Sequence, residues 1–111
     1  MKIINRIKAS DDFALTIKKG KAQRNQSFVI HYCANKLNYV RVGISVSSKL
    51  GNAVTRNHIK RQIRSMCDEL IGYENHTTDI VIIAKQGFLN RTFDDNKASL
   101  KELLIFIDRN Y

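Results

Sequence analysis

The sequence predicts an α+β protein in which a small mixed sheet carries three helices, an arrangement also described as an α/β sandwich. Three observations predict it: two segments that read as strands, a later unbroken apolar run, and apolar stripes with helical spacing before and after that run. The predicted order is helix, strand, strand, helix, strand, helix. A chain of 111 residues suits one domain, and we assign residues 1–111 to it.

The first predicted helix begins near Ser10, whose hydroxyl can cap it, and two acids follow in the first turn, where the helix dipole favours them. Phe13 and Ile17 are four residues apart and therefore share a face. Gly20 is a suitable stop. The prediction is a short helix with one apolar side.

Two strands are predicted next, over residues 27–34 and 40–47, and the short polar connection between them favours an antiparallel pair. The second strand alternates, with one face made of Val40, Val42, Ile44 and Val46, and the other of Arg41, Gly43, Ser45 and Ser47. The first has Phe28, Ile30 and Tyr32 on one face and Val29, His31 and Cys33 on the other. Both its faces are partly apolar, which fits a strand covered on both sides or aromatic groups that line a groove.

The main helix is predicted over residues 53–70. Its apolar stripe comprises Ile59, Ile63, Met66, Cys67 and Leu70. A buried strand follows over residues 79–84, and a last helix over residues 94–108 has an inner face of Leu100, Leu103, Leu104 and Ile107.

The charge distribution indicates a polyanionic partner. The formal charge is +9, and residues 1–67 contain fourteen Lys/Arg but only two acids. Residues 68–111 contain five Lys/Arg and eight acids. Such one-sided charge favours a nucleic acid, with a membrane surface or another anionic partner as alternatives.

The segment 49–64 concentrates this charge on one flank of the main helix. No acid occurs between residues 53 and 67, so no neighbour neutralises the cations. Cations also crowd the amino-terminal end of the helix, where its dipole disfavours them and where a phosphate would fit. The candidate binding residues are Lys49, Arg56, Asn57, Lys60, Arg61 and Arg64. The alternatives are a solvated basic helix without a ligand and a helix-turn-helix DNA-binding protein.

Little in the sequence points to catalysis by the protein itself. His31, His58 and His76 lie on separate elements without a carboxylate pattern nearby, although a self-sufficient nuclease could use such histidines. The acids show no metal-ligand clustering, and no phosphate-binding loop or nucleophile elbow occurs. Cys33 and Cys67 read as reduced, buried thiols. No signal peptide or membrane span is predicted, so we expect a cytoplasmic protein.

The segment Gly51-Asn-Ala-Val-Thr-Arg-Asn-His-Ile-Lys-Arg-Gln-Ile-Arg64 closely resembles the basic signature helix of the bacterial ribonuclease P protein subunit family. The resemblance extends to the strand at residues 41–47, to the strand at 79–85, and to Asp12-Phe13, Gly20 and Phe28. It covers most of the chain from Asn5 to about Lys85.

The resemblance implies a fold similar to the second domain of ribosomal protein S-five. It also implies that the chain is the non-catalytic subunit of a ribonucleoprotein endonuclease, a hydrolase that matures the 5′ end of tRNA. The catalytic RNA carries the chemistry with Mg²⁺, and the protein binds that RNA through the basic helix. No cofactor or metal held by the protein, no protein partner and no membrane is expected.

The family's groove for the 5′ leader of precursor tRNA is matched by Phe13, Ile17, Phe28 and His31. This groove agrees with the polar face of the second predicted strand, so we add Arg41 of that face to the candidate leader-binding residues. Three residues depart from the family pattern: His58 replaces the second arginine of the motif, and Ile17 and His31 stand where aromatic side chains are common. We expect leader binding with an altered base preference. The alternative is a generic structured-RNA-binding protein, of ribosomal type, without a role in cleavage.

Overall fold

The computed structural model describes residues 1–74 and 76–109, so Asn75, Asn110 and Tyr111 of the predicted domain lie outside the described residues. The helices are α1 (Ser10–Lys19), α2 (Ala53–Leu70) and α3 (Phe93–Arg109). The strands are β1 (Lys21–Arg24), β2 (Phe28–Ala34), β3 (Arg41–Ser45) and β4 (Thr78–Ala84). Short 3-10 turns occupy Ile3–Asn5, Ser48–Leu50 and Gln86–Asn90. The predicted α+β class and the order of the predicted elements are confirmed.

The four strands form one mixed sheet in the order β1-β2-β4-β3. β2 is antiparallel to both β1 and β4, whereas β3 is parallel to β4. The expected pairing of β2 with β3 is therefore wrong, because β4 lies between them. The Asn35 amide donates to the Tyr39 carbonyl at 3.2 Å and to Asp79 Oδ1 at 2.8 Å. These bonds hold the short connection across the end of β4 rather than in a hairpin.

β1 is a strand that the sequence analysis did not predict. Only one of its four residues, Ala22, is apolar, and the segment shows no strand periodicity. It lies at the edge of the sheet, where it pairs with β2 from Lys21 opposite Tyr32 to Arg24 opposite Val29. Its pairing thus comes from the neighbouring strand and not from its own pattern.

The ends of α1 agree with the sequence in part. The helix stops at Gly20, whose N–H donates to the Thr16 carbonyl at 2.9 Å, as expected. The expected cap at Ser10 is wrong, since Ala9 is the N-cap residue and no side chain caps it. Ser10 is instead the first helical residue.

The helices lie on both faces of the sheet, with α2 and α3 on one face and α1 on the other. The face under α2 and α3 forms the hydrophobic core with the inner stripes of those helices; its strand residues are Phe28, Ile30, Tyr32, Val42, Ile80, Ile82 and Ala84. From the helices come Ile59, Ile63, Met66, Cys67, Leu100, Leu103, Leu104 and Ile107. Within the described ranges, no helix has the length and apolar character needed to cross a bilayer.

Candidate nucleic-acid interface

The candidate binding residues of α2 form two parallel rows beside its buried stripe. Arg56, Lys60 and Arg64 follow each other at four-residue spacing and are half-buried. Asn57 and Arg61 form the next row around the helix and are exposed. Because Ile59 and Ile63 are buried in the core, these rows have a fixed outward direction. The predicted helix bounds and the predicted apolar stripe agree with the structure.

The turn between β3 and α2 places Lys49 at the amino-terminal end of this basic surface. Gly51 has φ 149°, in the region that favours glycine, and a Cβ there would lie 2.8 Å from Thr55 Cγ2. The Asn52 side chain accepts a hydrogen bond from the Thr55 N–H at 2.9 Å and so caps the helix. Lys49 is exposed, and its N–H donates to Ser47 Oγ at 3.2 Å. Lys49 is therefore held beside the first turn of α2.

The positive charge of this surface is not neutralised within the described part of the chain. The ion pairs found there engage the acids Asp12, Asp68, Glu69 and Asp79, and none of them involves a cation of residues 49–64. The Nε of Arg56 is buried and has no hydrogen-bond partner among the described residues. An unpaired row of cations on one helix face attracts a polyanion.

The open face of the sheet, which is the face that carries α1, has two cross-strand rows. The first row is Arg24, Val29, Ile83 and Ser45. The second row is Ala22, His31, Val81 and Gly43. Residues opposite each other in paired strands point to the same side, so each row is one line of side chains. Val29, His31, Ile83 and Ser45 are each half-exposed, which leaves part of this face open.

α1 crosses the open face and forms a wall beside these rows. The Phe13 ring lies on Gly43, where a Cβ would be 2.5 Å from Phe13 Cε2, so only glycine leaves room for the ring. Thr16 is buried against the sheet and its hydroxyl lies 4.0 Å from Cys33 Sγ. Ile17, one turn beyond Phe13, is 37 % exposed. We call the surface bounded by Phe13, Ile17, Val29, His31, Ile83 and Ser45 the groove.

The surroundings of His31, on the floor of the groove, favour its neutral form. Partial burial, and next the positive charge of Arg24, lower the pKa of His31 below its ordinary value of 6.5. Its Nδ1 is buried without a hydrogen-bond partner among the described residues. A neutral imidazole ring in a half-exposed position can stack on a base.

Phe28 does not belong to the groove. Its side chain is 0 % exposed and lies on the opposite face of β2 from His31. There it contacts Phe88 edge-to-face, with ring centroids 5.6 Å apart. The expectation that Phe28 lines a leader site is corrected, because successive strand residues point to opposite faces and Phe28 is on the core side.

Arg41 lies on the open face but at the far end from the first row. Its Nε and Nη2 donate to the two carboxylate oxygens of Asp79 at 2.9 and 2.6 Å, and Nη1 donates to Asp12 Oδ2 at 3.3 Å. Arg41, which was expected to line the groove, is thus hydrogen-bonded to two carboxylates. It joins the start of α1 to β3 and β4 and fixes the position of the Phe13 wall.

The three histidines do not come together. His31 is on the open face, and His58 is exposed on α2, which packs on the other face. His76 lies in the segment before β4, beside Leu70 and Ile71. Across residues 1–74 and 76–109, no three His, Cys, Asp or Glu side chains are grouped as a metal site would require. A helix-turn-helix would need a second helix before α2, where the described chain has the three-residue turn Ser48–Leu50 after β3.

The two cysteines differ in environment. Cys67 is fully buried, and burial raises the pKa of its thiol to about 12, which keeps it protonated. Cys33 is only half-buried, so the expectation of two buried thiols holds for Cys67 alone.

Four residues of this surface were missed at the level of sequence: Arg24, Val29, Ser45 and Ile83. Val29 and Ser45 share strand faces with His31 and Gly43, so alternation contained the signal for them. Ile83 belongs to an unbroken apolar run, which does not indicate which face is open. Arg24 lies on a strand that was not predicted at all.

The fold and the site define a small basic α+β protein with a cationic helix on one side of its sheet and an open groove on the other. The family model for ribonuclease P matches residues 1–107. The ribonuclease P protein component of Mesoplasma florum is 46% identical over 100 residues, covering 89% of this chain and 91% of the relative. That of a Streptococcus pyogenes strain is 39% identical over 104 residues, covering 94% of this chain and 87% of the relative.

Solved structures agree with the sequence matches. The RNase P protein of Staphylococcus aureus has a TM-score of 0.83 at 40% identity, covering 93% of this chain and 94% of its own. That of Thermotoga maritima has a TM-score of 0.77 at 32% identity, covering 89% of this chain and 94% of its own. The chain belongs to the ribonuclease P protein family. It is therefore a protein component of an endoribonuclease, and it associates with RNase P RNA.

Proposed function

We propose that this chain binds the catalytic RNA of ribonuclease P through α2 and the 5′ leader of precursor tRNA through the groove, and so assists cleavage at the 5′ end of tRNA. One observation carries the proposal. A family member presents two separate surfaces suited to RNA, on opposite faces of one sheet.

The basic surface of α2 supports the first contact. Its half-buried row of Arg56, Lys60 and Arg64 is anchored by the core, and the charges are unpaired within the described chain. Fixed cations at four-residue spacing suit the phosphates of a structured RNA, and binding of this kind weakens steeply as salt rises. Asn57 adds a neutral group for a ribose, a base edge or a hydrated metal ion.

The groove supports the second contact. A single strand is typically held by stacking on planar side chains beside a cationic track. Phe13 and the ring of His31 offer the planar groups, and Ile17 offers an aliphatic contact where the family resemblance implies an aromatic ring. We infer that stacking is weaker near Ile17 and that base preference differs accordingly.

A division of labour is part of the proposal, in which the protein binds and orients RNA. In support, the described side chains include no group of three His, Cys, Asp or Glu that could hold a metal ion. We propose that the RNA subunit performs the hydrolysis with Mg²⁺ and that the protein acts where RNA is found, in the cytoplasm.

The decisive experiment is multiple-turnover cleavage of a precursor tRNA at low magnesium. It compares a bacterial RNase P RNA alone, that RNA with this protein, and the protein alone. The expected result is stimulation in the mixture only. Cleavage by the protein alone would point to a self-sufficient nuclease, and tight RNA binding without stimulation would point to a generic RNA-binding module.

A paired variant tests the assignment of α2. Arg61→Ala with Arg64→Ala is expected to weaken assembly with the RNA. In a plot of log K against log salt concentration, the slope should become shallower by about 1.8, the value for two lost phosphate contacts on a duplex. The control Lys36→Ala with Lys101→Ala removes the same charge from exposed positions elsewhere and should leave assembly nearly unchanged. Equal losses in both variants would reduce the role of α2 to net charge.

A further inference from the structure

We infer that Arg24 and Lys85 form a cationic rim on the side of the groove opposite α1, and that this rim takes the phosphates of a single RNA strand whose bases face Phe13 and His31. The inference deepens the proposed function and rests on it in one respect, that the groove takes the leader. It assigns a direction to the bound strand, with the backbone at the strand ends of the sheet and the bases toward α1.

Arg24 is placed at this rim by the sheet register. It is the last residue of β1, opposite Val29, in the first cross-strand row of the open face. Its side chain is exposed. The positive charge of Arg24 is also one cause of the lowered pKa of His31, which agrees with its position beside the groove floor. No carboxylate is available to Arg24 among the ion pairs of the described residues.

Lys85 continues β4 past its last residue and reaches the same end of the sheet. Its backbone is extended, and its N–H donates to the Ser27 carbonyl at 2.9 Å, so the alternation of β4 still applies. Ala84 faces the core, and Lys85 therefore faces the open side, as Ile83 does. Its Nζ donates to the Asn25 carbonyl at 2.9 Å in the turn that follows Arg24. That bond holds the ammonium near Arg24 and leaves two of its three N–H donors.

The acids of the open face lie at the other end of the strands. Asp79 is the only carboxylate in the four strands, and it is six residues before Lys85 along β4. Asp79 and Asp12 are both engaged by Arg41. The potential along the groove therefore rises from a neutralised end at Arg41 to an uncompensated positive end at the rim.

The spacing suits one strand of RNA. From the second cross-strand row, which Phe13 covers at Gly43, to Lys85 is four residues along β4, or about 13 Å. The floor over that distance is partly apolar, with Val29 and Ile83 half-exposed. Bases that stack near the wall leave their sugar–phosphate chain over the rim, which is the geometry of a cationic track beside stacking groups.

The test measures the leader-dependent affinity, which is the ratio of the Kd for mature tRNA to the Kd for precursor tRNA, with the protein assembled on RNase P RNA. The variant is Arg24→Ala with Lys85→Met, in which methionine keeps much of the lysine stem. The matched control is again Lys36→Ala with Lys101→Ala. A second precursor has uncharged methylphosphonate linkages in its leader.

If the rim binds the leader, the variant should lose about fivefold of the leader-dependent affinity. The slope of log K for precursor tRNA against log salt concentration should be smaller by about 1.4, the value for two phosphates on a single strand. The control variant should match the wild type. The uncharged leader should weaken the wild type and cause little further loss in the rim variant. Urea unfolding verifies that the variant is folded, and Arg24→Gln alone, at an exposed edge position, should show about half of the change in slope.

Additive losses from the variant and the uncharged leader, or an unchanged salt slope, would overturn the rim. A wild-type protein that binds precursor and mature tRNA equally would overturn the proposed function itself. The two failures are distinguishable because the second is visible before any variant is made.

Discussion

The guanidinium of Arg41 and the carboxylate of Asp79 meet side by side across neighbouring strands, through two hydrogen bonds of 2.9 and 2.6 Å. The Asp79 side chain is 8% exposed, so its charge depends on Arg41 for compensation. The hydrogen bonds with Asp79 also raise the pKa of Arg41. The third contact, from Nη1 to Asp12, extends the pair to the first turn of α1.

Arg41→Met is expected to lower the free energy of unfolding by about 2–4 kcal/mol, because it leaves the buried Asp79 carboxylate without a cation. Asp12→Asn should cost less than about 1 kcal/mol, since that contact is longer and its carboxylate is 44% exposed. Urea unfolding at pH 7 measures both. If Arg41→Met kept full stability but lost leader binding, Arg41 would be an RNA contact after all.

Phe28→Ala tests the corrected position of Phe28. Removing a fully buried ring that packs on Phe88 should cost about 3–5 kcal/mol of stability. The conservative Phe28→Leu should cost less and leave the preference for precursor tRNA intact. Loss of that preference in a stable Phe28→Leu protein would return Phe28 to the groove.

Gly43→Ala tests the contact between the sheet and the Phe13 ring. The added Cβ would lie 2.5 Å from Phe13 Cε2, so α1 must shift, at a cost of about 1–3 kcal/mol. Because α1 is the groove wall, the preference for precursor tRNA should fall as well. Phe13→Ala alone should weaken precursor binding but not mature tRNA binding.

The double variant Gly43→Ala with Phe13→Ala is the control for that contact. Without the ring, the new methyl group has room, so the stability cost of Gly43→Ala should largely disappear in this background. Strictly additive costs would mean that the ring is not what the methyl group meets.

The His31 environment predicts a pH dependence of stability. The folded pKa lies below 6.5, so the unfolded chain binds the proton more readily. The contribution of His31 to stability is therefore constant well above pH 6.5 and is lost as the pH falls from 6.5 toward the folded pKa. Unfolding titrations of His31→Gln between pH 7.5 and about 5 should show a shallower loss than the wild type. Parallel profiles would contradict the assignment.

The sequence predicted the elements with strong periodicity. α2 was predicted with its observed bounds because its apolar stripe lies between a capping Asn52 and the end of the repeat at Leu70. The placement of the cations on one flank of α2 followed directly, since the direction of each side chain is set by the same periodicity. Resemblance to the family supplied the groove, together with Phe13 and Ile17 on its wall.

The rest depended on long-range pairing that local patterns do not contain. Two strands joined by five residues read as a hairpin, yet β4 lies between them and pairs with both. The sequence did not decide which face of β2 is buried. The packing of α2 and α3 places Phe28 in the interior and leaves His31 on the open face. Arg41 was assigned to the groove because it lies on the polar face of its strand. Its partner Asp79 is 38 residues away along the chain, so no local pattern revealed the ion pair.

The position of β4 has a consequence for the time at which the protein becomes folded during its synthesis. In the described part of the chain β4 joins β3 to the rest of the sheet, so the β3–β4 ladder cannot form until β4, which ends at Ala84, has been made. Until then the nascent chain exposes unpaired strand edges and the strongly cationic residues 1–67, which repel one another. Such late, non-local pairing slows folding. Residues 68–111, which bring eight of the ten acids, therefore act as a closing segment that converts a repelling basic chain into a compact one.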